Sequence, residues 1–138
     1  MKVTTDIKEA AEECAGYERK EFGVPVKRYC QTMDLKDDPA LIAKYIEAHN
    51  RYNSWPEIRA GIRSIGILEM ELYILNNRLF MIVETPHDFE WKCAMAKLAT
   101  LPRQAEWEDF TSMFQVCQKG ATSAQKWSMM KRIFYLYD

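Results

Sequence analysis

The chain has 138 residues, the length of one domain, and is 48% hydrophobic, 12% aromatic and 28% charged. That composition excludes a disordered or collagen-like polymer, and at this length folding removes roughly 68% of the unfolded surface from water, so a core needs no disulfide or metal staples. Nineteen Lys and Arg against twenty Asp and Glu leave a formal charge of −1, which excludes the strong positive field of a nucleic-acid or anionic-membrane binder.

Asp6 with Glu9 makes a capping-box-like start, Ala10 and Ala11 favour helix, and Gly16 offers a stop, so the first segment reads as a charged helix. Its apolar content is low. Residues 1–25 are expected to be a helical N-terminal extension and 26–138 the domain proper, with Gly23 and Pro25 at the boundary. The alternation from Val26 to Leu35 predicts a partly buried strand. Asp37, Asp38 and Pro39 then open a helix on which Leu41, Ile42, Tyr45, Ile46 and His49 share one face. Trp55-Pro56-Glu57 starts a second short helix with the stripe Ile58, Ile62, Ile65 and a left-handed end at Gly66.

Leu68, Met70, Leu72 and Ile74 alternate with Glu69, Glu71 and Tyr73, and Asn76-Asn77 then gives a tight turn, so this is a hairpin. Its return strand, Leu79 to Glu84, is apolar on both faces, which burial on one side does not require. Thr85-Pro86-His87-Asp88 reads as the start of another helix, with Phe89, Cys93 and Ala96 on its face. A further helix follows Pro102, carrying Trp107, Phe110, Phe114 and Cys117 on its apolar side, and Ile133, Tyr135 and Tyr137 predict a C-terminal strand.

Leaving aside the short extra helices, the order is the β-α-β-β-α-β of an α+β, ferredoxin-like fold, whose two helices cover one side of the sheet. The doubly apolar return strand requires cover on the other side too, which predicts a homodimer with two sheets face to face in a barrel-like core. The apolar runs are too short to cross a bilayer and residues 1–10 lack a signal-peptide core, so a cytoplasmic protein is expected. Cys14, Cys30, Cys93 and Cys117 form no CxxC pair, and His49 and His87 are the two histidines, so packed reduced thiols and metal-free chemistry are expected.

Imidazole has an unperturbed pKa of ~6.5 and exchanges protons near neutrality, which draws attention to His49, one turn after Tyr45 on the same face. By spacing alone His49 reads more readily as a satisfied core or helix-end histidine. His87 reads as a solvated first-turn residue. Glu84 ends an apolar strand on the side of Phe80 and Ile82, where a carboxylate is paired, hydrated or used. Trp55 and Trp107 are plates that fill a core or stack on sugar faces. No phosphate loop, nucleophile elbow or EF-hand loop is present.

Tyr45-x-x-x-His49-Asn50, Trp55-Pro56-Glu57, the helix ending at Gly66, Leu79-Phe80 with Glu84, Trp107 and Ile133-Phe134-Tyr135-Leu136 together resemble the L-rhamnose mutarotase family over about residues 26–138. The resemblance implies a ferredoxin-like dimer forming an α+β barrel. It implies interconversion of the α and β anomers of a 6-deoxy-hexose, L-rhamnose or L-fucose, by acid–base catalysis without metal or organic cofactor. Carried over by position, the proton-donating histidine is His49, the substrate-contacting tyrosine is Tyr45, and one of two adjacent binding tryptophans is Trp107. The second tryptophan falls on Glu106 and a second binding tyrosine on Met70, and residues 51–54 lengthen the usual spacing, so the sugar pocket is altered. Glu84, Glu106 and Asp109 are the candidates for the complementary base or hydroxyl acceptor. Two other classes fit a chain of this kind. One is a small dimeric α+β barrel oxygenase using Trp91, Met95 and His87, and the other is a sugar- or metabolite-binding module without turnover.

Overall fold

The computed structural model describes residues 14–137. β1 (Val26–Asp34) is followed by α1 (Pro39–Ala48), α2 (Pro56–Ser64), β2 (Glu69–Leu75), β3 (Arg78–Pro86), α3 (Trp91–Leu98), α4 (Gln104–Ser112), α5 (Ser123–Lys126) and β4 (Ser128–Met129). The four strands form one antiparallel sheet in the order β2-β3-β1-β4. This is the ferredoxin-like arrangement expected of the sequence. No helix among the described residues is long and apolar enough to cross a membrane.

Local chemistry accounts for the elements that place the cavity. Asp38 caps α1, its Oδ1 accepting from the Ala40 and Leu41 amides at 2.9 and 3.3 Å, and Pro39 supplies a first-turn residue with no amide to satisfy. Pro56 does the same for α2, which ends through Gly66 at φ 101°, a conformation that disfavours a side chain. Asn76 takes φ 57° in the tight β2–β3 turn.

Strand alternation divides the sheet into two faces. Tyr29, Gln31 and Met33 of β1 pair with Val83, Met81 and Leu79 of β3, and this face joins Ile42, Tyr45, Phe114 and Trp127 in the core. The outer face carries Arg28, Cys30 and Thr32 opposite Glu84, Ile82 and Phe80. Residues 14–25 form no regular element; on this outer face Tyr17 packs edge-on to Tyr73 at 5.8 Å between ring centroids and Arg19 binds Glu84, while Lys20 lines the cavity described below. The helix expected from Asp6 falls mainly outside the described residues.

Five expectations need correction. Cys14 and Cys93 are exposed rather than packed, and the helix after Pro102 ends at Ser112, short of Phe114 and Cys117. Thr85 and Pro86 do not open a helix: they finish β3, paired with Lys27 and Val26, and α3 starts only at Trp91. The face α3 buries is Met95 and Leu98, while Cys93 and Ala96 stay exposed. Residues 130–137 are not a strand. Only Ser128 and Met129 pair with β1, and Ile133, Phe134 and Leu136 are 92%, 75% and 70% exposed. Their alternation satisfies the pattern for a strand, but within one chain no strand edge receives them.

Candidate active site

The 3.6-residue period of α1 sets Tyr45 and His49 one above the other, with ring centroids 4.3 Å apart. His49 is the C-terminal cap residue of α1 and is half-buried; Tyr45 is buried. The His49 Nδ1 lies 2.8 Å from the Tyr45 carbonyl oxygen. A carbonyl only accepts, so the neutral ring carries its proton on Nδ1 and Nε2 is left to take one. Burial lowers the His49 pKa below its ordinary value, and the Arg59 charge acts in the same direction, together outweighing the bond to the Tyr45 carbonyl. At neutral pH His49 is therefore an uncharged base. Burial raises the Tyr45 phenol well above its ordinary range, so its O–H persists as a donor, while Gln115 Nε2 donates to its oxygen at 3.2 Å.

Next to this pair stand three aromatic plates. Trp107 of α4 meets His49 edge-on at 5.2 Å and Trp55 at 5.1 Å between centroids, and Trp55 stacks on Phe110 at 5.7 Å. The Arg103 guanidinium lies over the Trp55 ring, 4.1 Å from its centre. Between these side chains and the inner face of β2 and β3 lies a cavity of about 720 Å³, the size of a small-molecule site. Its walls include Tyr45, His49, Met70, Trp107 and Trp127, with Arg59, Glu108, Thr111 and Gln115 supplying polar groups. Flat aromatic surface beside fixed hydrogen-bonding groups suits a sugar ring, which presents C–H faces and a hydroxyl edge.

The structure thus brings together His49, Tyr45, Trp107 and Met70, and leaves out both carboxylates read as binding residues. Glu84 points from the outer face of the sheet and does not line the cavity. It accepts from Arg28 Nε and Nη2 at 3.1 and 2.9 Å and from Arg19. Burial alone would raise its carboxyl, but the two guanidinium groups hold it below the usual carboxylate range. Glu106 is exposed and accepts from Arg103 at 3.0 and 2.9 Å, which keeps its carboxyl low; it lies outside the cavity lining, as does exposed Asp109. His87 is exposed, Trp91 packs against Tyr29 at 4.5 Å, and neither they nor Met95 line the cavity.

The lining also includes residues not singled out from the sequence, among them Arg59, Glu108, Thr111, Gln115 and Trp127. Glu108 is held between Lys126 Nζ at 2.9 Å and Gln104 Nε2 at 2.6 Å, and the Lys126 side chain is wholly buried. A signal was present, because Gln104, Trp107, Thr111 and Gln115 recur every three or four residues, a stripe in which polar side chains replace the expected apolar ones. Among the described residues no group of three or more His, Cys, Asp or Glu is placed to hold a metal ion.

Comparison with known proteins adds a family and a fold. Residues 28–136 match the model of a family described as L-rhamnose mutarotase. The chain is 35% identical over 113 residues to an L-fucose mutarotase of Xanthomonas campestris pv. campestris, covering 82% of this chain and 90% of that one. It is 37% identical over 90 residues to a UPF0734 protein of Dictyostelium discoideum, covering 64% and 70%. The crystal structure of an L-rhamnose mutarotase from Formosa agariphila superimposes with a TM-score of 0.60 at 20% identity, covering 80% of this chain and 98% of that one.

Proposed function

As the chain belongs to the L-rhamnose mutarotase family, a family of isomerases, we propose that it interconverts the α and β anomers of a 6-deoxy-hexose, with His49 as the proton-transfer group. The observation that carries this reading is the neutral His49 packed against Tyr45 at the wall of a sugar-sized cavity. His49 Nε2 takes the anomeric hydroxyl proton as the bond from the anomeric carbon to the ring oxygen breaks, and the ring oxygen takes a proton from water. After rotation of the open aldehyde, the ring hydroxyl closes on its other face, losing its proton to water, and His49 returns its own to the new anomeric oxygen. Acid–base help of this kind is worth roughly 10²- to 10⁴-fold. Tyr45 donates to a sugar hydroxyl and Trp107 stacks on the apolar face, which holds the anomeric carbon against the imidazole.

L-rhamnose is the first candidate substrate, on the family match, and L-fucose the second, on the Xanthomonas relative. The site residues in this proposal are His49, Tyr45, Trp107 and Met70; Glu84 and Glu106 are not among them. The unit that performs the reaction is 26–138, with 1–25 an extension to it. The free cysteines among the described residues suit a reducing cytoplasm. The exposed tail 130–137 and the half-buried Phe80 and Ile82 of the outer face support a homodimer; sedimentation at micromolar concentration is expected to give twice the mass of one chain, and a monomer would remove this part.

Saturation-transfer NMR on the anomeric protons of L-rhamnose, L-fucose and other 6-deoxy-hexoses tests the reading. Exchange above the uncatalysed rate is expected for at least one of the first two. Tight binding of a sugar without acceleration would make the chain a binding module instead.

A further inference from the structure

Most buried polar groups beside the cavity are fully engaged. The Thr111 hydroxyl donates to the Trp107 carbonyl at 3.0 Å and accepts from Lys126 Nζ at 3.1 Å, and Glu108 is shared between Lys126 and Gln104. Gln115 is the exception. It is 4% exposed, it lines the cavity, and among the described residues its Oε1 is the one buried side-chain nitrogen or oxygen atom without a hydrogen-bond partner. An unsatisfied buried carbonyl is costly, and such atoms are scarce in folded proteins.

Its position is well determined. The backbone of Gln115 bridges to Leu35 at the end of β1, with the Lys36 amide donating to the Phe114 carbonyl at 2.8 Å and the Val116 amide to the Asp34 carbonyl at 2.9 Å. The other end of its amide is spent on Tyr45 Oη at 3.2 Å. The phenolic proton of Tyr45 and the free end of Gln115 therefore sit side by side, anchored to the sheet, a helical turn below His49. Rotating the amide by half a turn would exchange its C=O and NH2, and a sugar hydroxyl, donor and acceptor at once, satisfies either.

We infer that Gln115 is a sugar-binding residue: its unpaired amide end takes one ring hydroxyl of the substrate, beside the hydroxyl met by Tyr45, and so decides which hydroxyl pattern places the anomeric carbon against His49. The inference rests on the isomerase reading for its substrate class. It supplies a means of discriminating among sugars in a pocket where Met70 stands at an altered position. A site built to hydrogen-bond a hydroxyl rejects the analogue lacking it, because its own polar group is then left unpaired.

The test takes whichever of L-rhamnose and L-fucose binds more tightly, with its 2-, 3- and 4-deoxy analogues. For wild type and Gln115→Met, both affinity and exchange are measured, each exchange rate divided by the uncatalysed rate of the same sugar. One analogue is expected to lose roughly 10- to 100-fold in wild type. Gln115→Met should lose a similar factor with the complete sugar and nothing further with that analogue. Gln115→Glu, which keeps an acceptor in place, should retain the discrimination, and it serves equally if the Met variant does not fold. A flat response across the analogues, as a buried water in place of the sugar would give, overturns the inference, as does discrimination that persists in Gln115→Met. Selective binding without any exchange would sink the isomerase reading while leaving Gln115 in its role.

Discussion

Glu84→Gln separates a structural carboxylate from a catalytic one. The Glu84 side chain is 3% exposed and its partners Arg19 and Arg28 are 42% and 52% exposed. Replacing one carboxylate oxygen by an NH2 group removes charge-assisted acceptance and turns a donor towards a guanidinium. For a fully buried pair the loss of one partner costs about 3–5 kcal/mol. Here both arginines regain water, so about 1–2 kcal/mol is expected at pH 7. In thermal unfolding followed by circular dichroism that is a fall in Tm of about 3–8 °C for a chain of this size. The folded-state pKa of Glu84 is lowered, so its contribution is complete above the ordinary carboxylate range and is lost as pH falls through the folded value. Wild type and variant should therefore differ at pH 7 and converge in strong acid. Because Glu84 lies on the outer face, away from the cavity, anomeric exchange by the folded variant should stay within about twofold of wild type. A loss of 100-fold in exchange with unchanged Tm would refute this placement and return Glu84 to the site.

The lowered pKa of His49 predicts that exchange stays level as pH falls from 8 through 6.5 and declines only below that, as the imidazole gains its proton; a decline centred above 7 in a pH–rate profile would contradict it. Tyr45→Phe leaves both ends of the Gln115 amide unpaired, so urea unfolding should show a loss of about 1–2 kcal/mol, with exchange reduced roughly tenfold; unchanged values of both would remove the phenol from the site.

Local chemistry made much of the frame legible. Asp38-Pro39, Trp55-Pro56, Gly66 and Asn76-Asn77 each carry a physical reason for starting, stopping or turning an element, and each element is where that chemistry puts it. The stripe on α1 likewise placed Tyr45 and His49 together, because helical period is a local property. What escaped depends on distant residues. The side of the sheet to which Glu84 belongs follows from alternation, but its partner Arg28 lies 56 residues away and reaches it only through the β1–β3 register. Pro86 has the credentials of a helix start, yet pairing with Val26 keeps it in β3. The tail from Ile133 to Tyr137 has strand periodicity without a strand edge to join in one chain. Gln115 was hidden for a similar reason: only the fold, through its bridge to Leu35, carries it under Tyr45.

The most direct test of the account is the anomeric exchange rate of His49→Ala beside wild type, measured by saturation transfer with L-rhamnose and L-fucose under matched conditions. With the variant's far-UV spectrum and oligomeric state unchanged, the account predicts loss of roughly 10²-fold or more of the acceleration while sugar binding is largely retained. A variant that still exchanges anomers at the wild-type rate would show that the imidazole takes no part in the reaction.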